Sequence, residues 1–169
     1  MSIITEASVP ISREYLRRNP SADGSTQPGE VAPESVTLQP IGYVRSTLVE
    51  DTEFRSLESW STQEADLEFL EEYSDCLDEL VEHYKTCWVL YHFDRTDDVH
   101  IVGYPRGDKT LPTRGVWALC TPFRPNHLGY TLVTLLERKS PTVIRVAGLD
   151  ALNGTPIMDI KPEEVREKQ

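Results

Sequence analysis

The stretch RGVWALCTPFRPNHLGYT, residues 114–131, guides the interpretation of the whole chain. A strand-like run over 115–120 leads into a loop that contains Pro122 and Pro125, and a new apolar strand begins at Thr131. Each proline fixes its own φ and keeps the residue before it out of the α region. The loop therefore has few conformations, which suits a binding site whose polar groups are in place before the ligand arrives. A rigid corner between two strands explains this segment equally well.

Length and composition predict one domain with polar ends. The chain has 169 residues, and 38% of them are hydrophobic, which is below the usual share for a globular protein. No apolar run reaches the length of a membrane span and the N-terminus has no apolar signal segment, so we expect a soluble cytoplasmic protein. Cys76, Cys87 and Cys120 are scattered, which favours reduced thiols over a disulfide framework or a metal site.

The net charge of -11 argues against a generic nucleic-acid binder, because Lys and Arg make most phosphate contacts. The charge is uneven, however. Residues 1–94 hold 6 Lys/Arg and 19 Asp/Glu, whereas residues 95–147 hold 8 and 4. The basic part of the chain is thus the part around the proline-containing loop.

Hydrophobic periodicity predicts six or seven short strands and one helix. Leu77, Leu80, Val81 and Tyr84 have the spacing of an amphipathic helix over 74–84. Strands are predicted at 36–45, 65–69, 87–93, 115–120, 131–138, 142–149 and 156–160. This pattern favours a mainly β fold, a small antiparallel β-barrel-like domain with one or two short helices. No GxGxxG sequence is present, so a doubly wound nucleotide-binding fold is not indicated.

Composition also predicts three regions. Residues 1–35 are rich in Pro, Gly, Ser and acidic residues and predict a flexible N-terminal arm. Residues 36–162 form the predicted β domain, and 163–169 form a charged C-terminal tail.

Polar residues collect where predicted strands end. Hydrolase signatures such as G-x-S-x-G and H-E-x-x-H are absent, and the four histidines are spread out, so no metal site is expected. Arg and Asn side chains suit planar carboxylate, phosphate or base-edge contacts. Taken singly, each of these residues is more often a surface or turn residue. They are Asp94, Arg95, Cys120, Arg124, Asn126, His127, Asp150, Asn153, Asp159 and Lys161.

Three stretches resemble the YaeB/TsaA-like (TrmO-type) family of S-adenosylmethionine-dependent tRNA methyltransferases. They are QPIGYVRS at 39–46, RGVWALCTPFRPNHLGYTLVTLLE at 114–137 and GLDALNGTPIMDIKP at 148–162. The second contains the family's RPN-x-x-G, and the third its D-x-x-x-G-T-P-x-x-D-I-K-P. The resemblance covers roughly residues 36–162.

The resemblance implies a methyltransferase that acts on N6 of threonylcarbamoyladenosine in the tRNA anticodon loop, or on a related modified adenine. S-adenosyl-L-methionine would be the methyl donor and a homodimer the assembly. The alternative is a non-catalytic β-barrel module that binds S-adenosylmethionine or a nucleotide.

The resemblance also implies site residues. Arg124, Asn126 and Lys161 match positions suited to catalysis or to substrate contacts, and Phe123 or Tyr130 could stack on a base. Cofactor contacts would come from Phe93, Asp94, Arg95, Cys120, Tyr130, Leu149, Asp150, Ala151, Leu152 and Asn153.

The chain departs from the family's pattern at four places. The usual Pro-Arg-Gln is replaced by Glu53-Phe54-Arg55-Ser56. Cys120 stands where Arg is usual, His127 where Pro is usual, and Asn153 where Asp is common.

Overall fold

The structure is a computed structural model that describes residues 36–49 and 62–163. The predicted arm at 1–35, the Glu53–Ser56 segment and residues 164–169 lie outside the described residues. All elements given below belong to the compact unit that begins at Pro40.

Apolar and polar residues alternate along the strands, so that one side of a strand faces the core. In the strand Glu64–Phe69, for example, Ala65, Leu67 and Phe69 all point inward. In chain order the elements are β1 (Gly42–Arg45), β2 (Glu64–Phe69), a 3₁₀ turn (Glu71–Cys76), α1 (Leu77–His83), β3 (Thr86–His92), β4 (Val102–Gly103), a 3₁₀ turn (Pro105–Gly107), β5 (Arg114–Gly115), a 3₁₀ turn (Val116–Ala118), β6 (Leu128–Ser140), β7 (Val143–Ala147) and β8 (Pro156–Pro162).

Six of these strands form a closed antiparallel ring in the order β1-β2-β7-β6-β3-β8, and β8 pairs back to β1. Strand β3 lies between β6 and β8, with Trp88 opposite both Leu132 and Lys161. Among residues 36–49 and 62–163, the two-residue strands β4 and β5 pair with each other and with no other strand. The mainly β, antiparallel architecture predicted from the sequence is confirmed.

The inward-facing side chains of the ring form one hydrophobic core. Leu67, Ile144 and Ile157 have no exposed surface. Helix α1 packs Leu77, Leu80 and Val81 against this core, so the helical spacing seen in the sequence identifies its buried stripe. Each fully buried side chain of this size contributes about 1.5–3 kcal/mol.

The strand predicted at 115–120 is wrong. The strand there consists of Arg114–Gly115 alone, and Val116–Ala118 form a 3₁₀ turn. Strands β6 and β8 already pair with both edges of β3. Arg114–Gly115 therefore pair with Val102–Gly103 instead. Val116 is nevertheless buried, whereas Trp117 is 75% exposed.

Two strand boundaries also differ from prediction. Strand β6 begins at Leu128, because Leu128 and Gly129 pair with His92 and Tyr91. Strand β1 covers only Gly42–Arg45 of the predicted 36–45.

Candidate active site at one end of the ring

Arg95 fastens two loops together just beyond the end of β3. Its guanidinium donates one hydrogen bond to the carbonyl of Val49 and one to the carbonyl of Asn153, both at 2.7 Å. The side-chain oxygen of Asn153 accepts from the backbone N–H of Ser46 at 3.2 Å. The 46–49 loop and the 149–154 turn are therefore held against the end of β3.

The 149–154 turn has the conformation that its Asn-Gly sequence indicates. Gly154 adopts φ 87°, which a residue with a side chain rarely does. The N–H of Gly154 donates to the carbonyl of Val44, and that of Asn153 donates to the carbonyl of Leu48.

Tyr91 joins this turn to the core. Its ring is 3% exposed, and its hydroxyl donates to the carbonyl of Asp150 at 2.9 Å and lies 3.1 Å from the hydroxyl of Thr131. Burial raises the pKa of Tyr91 to about 12, the hydrogen bond with Thr131 acts in the opposite direction, and Asp150 and Cys120 raise it further. Cys120 and Asp150 are thus neighbours of one buried, protonated hydroxyl. We call Ser46, Tyr91, Arg95, Asp150 and Asn153 the turn cluster.

The proline loop, residues 120–127, closes over the end of β3. The carbonyl of His127 accepts from the N–H of Phe93 at 2.7 Å, and His127 itself has φ 47°. Its Nε2 lies 3.1 Å from the carbonyl of Asp98. These contacts fix the loop to the segment that follows β3.

Arg124 is oriented inside this loop. It donates to the carbonyl of Leu119 at 3.0 Å and lies 5.8 Å from the centroid of the Trp117 ring. A cation over an aromatic face is attracted to it. Phe123 stacks on His100, with ring centroids 4.7 Å apart.

Gly129 permits the close approach of two aromatic rings. A Cβ at this position would collide with the Tyr91 ring and lie 2.8 Å from Cζ of Phe93. The two rings meet edge to face at 5.4 Å. The glycine of RPN-x-x-G therefore has a packing role.

His92 lies beneath the proline loop. It is 7% exposed, its ring centroid is 6.1 Å from that of His127, and its buried Nδ1 makes no hydrogen bond within the described part of the chain. Burial lowers the pKa of His92 and His127 lowers it further, whereas Asp94 and Asp97 raise it. At neutral pH the imidazole is therefore neutral, and the protein encloses its Nδ1.

The outer side of the ring is divided into two faces of different character. Residues directly opposite on paired strands share a face, so the outward residues of β6, β3 and β8 form one surface. We call it the aromatic face; it comprises Trp88, Leu90, Tyr130, Leu132, Asp159 and Lys161. The outward residues of β1, β2 and β7, with Lys139 of β6, form the charged face; it includes Arg45, Glu64, Asp66, Glu68 and Arg145.

The predicted site residues thus fall into two groups. At the end of β3, Arg95 and Tyr91 hold the 149–153 turn, Phe93 and Asp94 follow the strand, and Cys120 lies near the Tyr91 hydroxyl. Arg124 and Asn126 belong to the proline loop, where Arg124 contacts Leu119 and Trp117. The side chains of Leu149 and Ala151 are buried in the core, so only their backbone groups are available. Tyr130 and Lys161 lie on the aromatic face instead.

Sequence reasoning missed Ser46, Tyr91, His92 and Thr131. Tyr91 could have been found, since the alternation Cys87, Val89, Tyr91 points its ring inward and a buried hydroxyl needs a partner. Nothing in the local sequence indicates that Ser46 meets a turn more than 100 positions later.

Two further properties bear on ligands. Over residues 36–49 and 62–163, no group of three or more His, Cys, Asp or Glu side chains is arranged to hold a metal ion. Among the same residues, no helix has both the length and the apolar character needed to cross a membrane.

The relatives found by comparison with known proteins agree with one another. Residues 49–164 match the family described as tRNA-methyltransferase O N-terminal domain. A probable S-adenosyl-L-methionine-binding protein of Methanothermobacter thermautotrophicus is 36% identical over 129 residues, which cover 75% of this chain and 89% of that protein. A tRNA (adenine(37)-N6)-methyltransferase of Rattus norvegicus is 34% identical over 87 residues, which cover 48% of this chain and 19% of that protein.

Solved structures agree with the fold. The crystal structure of TrmO from Pseudomonas aeruginosa matches with a TM-score of 0.60 and 29% identity over 76% of this chain. The chain spans 56% of the length of that structure. Since the matched family region covers most of the chain, including the proline loop and all of the turn cluster except Ser46, the chain belongs to the tRNA-methyltransferase O N-terminal domain family.

Proposed function

We propose that this protein is an S-adenosyl-L-methionine-dependent methyltransferase that acts on N6 of adenine 37 in tRNA, with threonylcarbamoyladenosine as the modified base. The observation that carries the proposal is that the family region includes both signature segments, and both lie at the end of β3. The names of the archaeal and mammalian relatives support the cofactor and the substrate class.

The groups at this end of the ring suit S-adenosylmethionine. Asp94 and Asp150 offer carboxylates that can accept hydrogen bonds from hydroxyl and amino groups, and the 149–153 turn offers peptide groups for a purine edge. Phe93, Arg95 and Cys120 complete the proposed cofactor set.

When bound, S-adenosylmethionine supplies an electrophilic methyl group on a sulfonium. Phe93, Asp94, Arg95, Cys120 and the 149–153 turn would hold it, so that its methyl group could be transferred to N6 in exchange for the N6 proton, which solvent would take up. The chain's contribution is largely positioning, which can supply several kcal/mol of barrier lowering. Arg124 and Asn126 would hold the modified adenine from the proline loop, and the guanidinium of Arg124 would stabilise negative charge on the carbamoyl group.

The test is methyl transfer to tRNA, read by mass spectrometry of the digested nucleosides. The purified protein with tRNA that carries threonylcarbamoyladenosine should yield its N6-methyl derivative, and tRNA without the carbamoyl group should not. Arg124→Ala should lower kcat/KM by roughly a hundredfold, the size expected for a lost charge-assisted contact. Lys109→Ala, an exposed cation between β4 and β5, is the matched control and should retain activity. Equal activity of both variants would contradict the role of Arg124.

The second candidate function is a non-catalytic S-adenosylmethionine-binding module. It is favoured by the name of the archaeal relative and by Cys120 at a position where the family usually has Arg. Cofactor binding without methyl transfer to any tRNA would support this alternative.

We also propose that the protein is a cytoplasmic homodimer. The segment from 99 to 117 exposes Val99, Ile101, Val102, Tyr104, Leu111 and Trp117, and a second copy would cover such side chains. Analytical ultracentrifugation should give twice the chain mass, and Ile101→Asp with Trp117→Ser should give a monomer.

A further inference from the structure

The aromatic face of the ring has the composition of a surface that binds a partner. Tyr130 is 70% exposed, and Trp88, Leu90 and Leu132 beside it are partly exposed. Outward positions of a solvated antiparallel sheet are usually polar. Lys161 and Asp159 on this face pair with each other at 2.8 Å, and at its edge Glu163 accepts a hydrogen bond from the hydroxyl of Thr86 at 2.6 Å.

The charged face of the same ring is covered by ion pairs. There Asp66 lies between Lys139 at 2.8 Å and Arg145 at 2.9 Å, and Arg45 pairs with Glu68 at 2.5 Å. Its polar groups are therefore largely engaged with one another. The contrast between the charged face and the aromatic face indicates that a binding partner would contact the aromatic face.

The geometry of the aromatic pair suits a flat ligand. The rings of Trp88 and Tyr130 have centroids 5.4 Å apart and are tilted by 47°. Trp88 thus supports one side of the Tyr130 ring, whose other side is open to solvent. An exposed aromatic ring on a sheet surface is the usual platform for an unstacked RNA base.

The charge distribution also favours an RNA partner that contacts the aromatic face. Between residues 62 and 84 the chain carries nine carboxylates and no Lys or Arg, and this region holds β2 and α1. The carboxylates of β2 are paired with Arg45, Lys139 and Arg145, so a polyanion is repelled mainly from α1 and the 3₁₀ turn before it. Lys161 is 64% exposed, and because an exposed ion pair is weak, a phosphate can compete with Asp159 for it.

The aromatic face also adjoins the candidate active site. Tyr130 follows the proline loop by only two strand residues, and β3 leads from Trp88 directly to Phe93, Asp94 and Arg95. A nucleotide next to the one that reacts could therefore reach this face.

We propose that Tyr130, supported by Trp88 and flanked by Lys161, is a stacking platform for an unpaired base of the substrate RNA adjacent to the methylated adenine. This proposal deepens the proposed function and rests on it for the identity of the RNA. It assigns Tyr130 and Lys161 to substrate binding, away from the turn cluster.

The test is fluorescence anisotropy of a labelled synthetic anticodon stem-loop RNA, in the absence of S-adenosylmethionine. Tyr130→Ala should weaken RNA binding roughly 5- to 150-fold, the range that stacking of one base on an aromatic side chain contributes. Tyr130→Phe keeps the ring and should bind within about twofold of the wild type. Arg45→Ala removes a cation from the charged face and should also leave RNA affinity unchanged.

Several results would overturn the proposal. Unchanged affinity of Tyr130→Ala would exclude stacking, and equal losses for Tyr130→Ala and Tyr130→Phe would assign the effect to the hydroxyl. A change in sedimentation of Tyr130→Ala with unchanged RNA affinity would assign the face to a second copy of the chain. Thermal melting checks that each variant is folded. The binding experiment contains no methyl donor, so it tests the stacking platform independently of catalysis. Methyl transfer itself is tested separately, by the assay of the wild-type protein on tRNA.

Discussion

At the scale of single residues, the site depends on a few side chains that each serve two segments. Arg95 holds the 46–49 loop and the 149–154 turn, Tyr91 holds that turn and β6, and Gly129 leaves room for Tyr91 and Phe93. The sequence indicated Arg95 and Gly129 through position and motif. It could not indicate their contacts, because these depend on pairings between distant parts of the chain.

Gly129→Ala should destabilise the fold. The added methyl group would collide with the Tyr91 ring, which cannot move easily because its hydroxyl has two partners. Overpacking of this kind typically costs about 1–3 kcal/mol, which denaturant unfolding can measure. Gly115→Ala is the matched control, since a Cβ there meets nothing within 4 Å and its φ is -63°. Similar stability of the two variants would contradict the packing role of Gly129.

At the scale of elements, hydrophobic periodicity predicted the strands of the ring and helix α1 but not the segment at 114–120. Strands β2, β3 and β7 bury alternate residues, so their pattern is visible in the sequence. Residues 115–119 have a similar composition, yet all edges available to them in the ring are already paired. Composition indicates whether a segment tends to form a strand. Whether a neighbouring strand has an unpaired edge for that segment depends on the fold.

The pairing of β2 with its neighbours should depend on pH through Asp66. Hydrogen bonds from Arg145, opposed by burial and assisted by Lys139, hold the pKa of Asp66 below its ordinary value. The stabilisation is therefore complete above the ordinary pKa of about 4 and is lost as the pH falls through the lower folded value.

Asp66→Asn should lower the free energy of unfolding by roughly 1 kcal/mol at pH 7, and this difference from the wild type should shrink as the pH falls below about 4. Urea unfolding at several pH values measures it. Glu79→Gln, an exposed carboxylate on α1, should show little difference at any of them. A difference for Asp66→Asn that is constant with pH would contradict the ion-pair explanation.

At the scale of the whole molecule, the ring order explains how distant segments share one site. Strand β8 pairs with both β1 and β3, so the turn before it meets the loop after β1 and the end of β3. Periodicity cannot predict this order of strands. It was the family resemblance that led us to expect the two signature segments in one site. The division into an arm at 1–35, a domain at 36–162 and a tail at 163–169 remains a prediction.

The most direct test of the central claim is calorimetric titration of the purified protein with S-adenosyl-L-methionine. The account predicts saturable binding near one site per chain, with weaker binding by Tyr91→Phe, because this variant frees the carbonyl of Asp150 in the proposed cofactor turn. Absence of heat, together with no rise in melting temperature at high ligand concentration, would contradict the assignment of this end of the ring as a cofactor site.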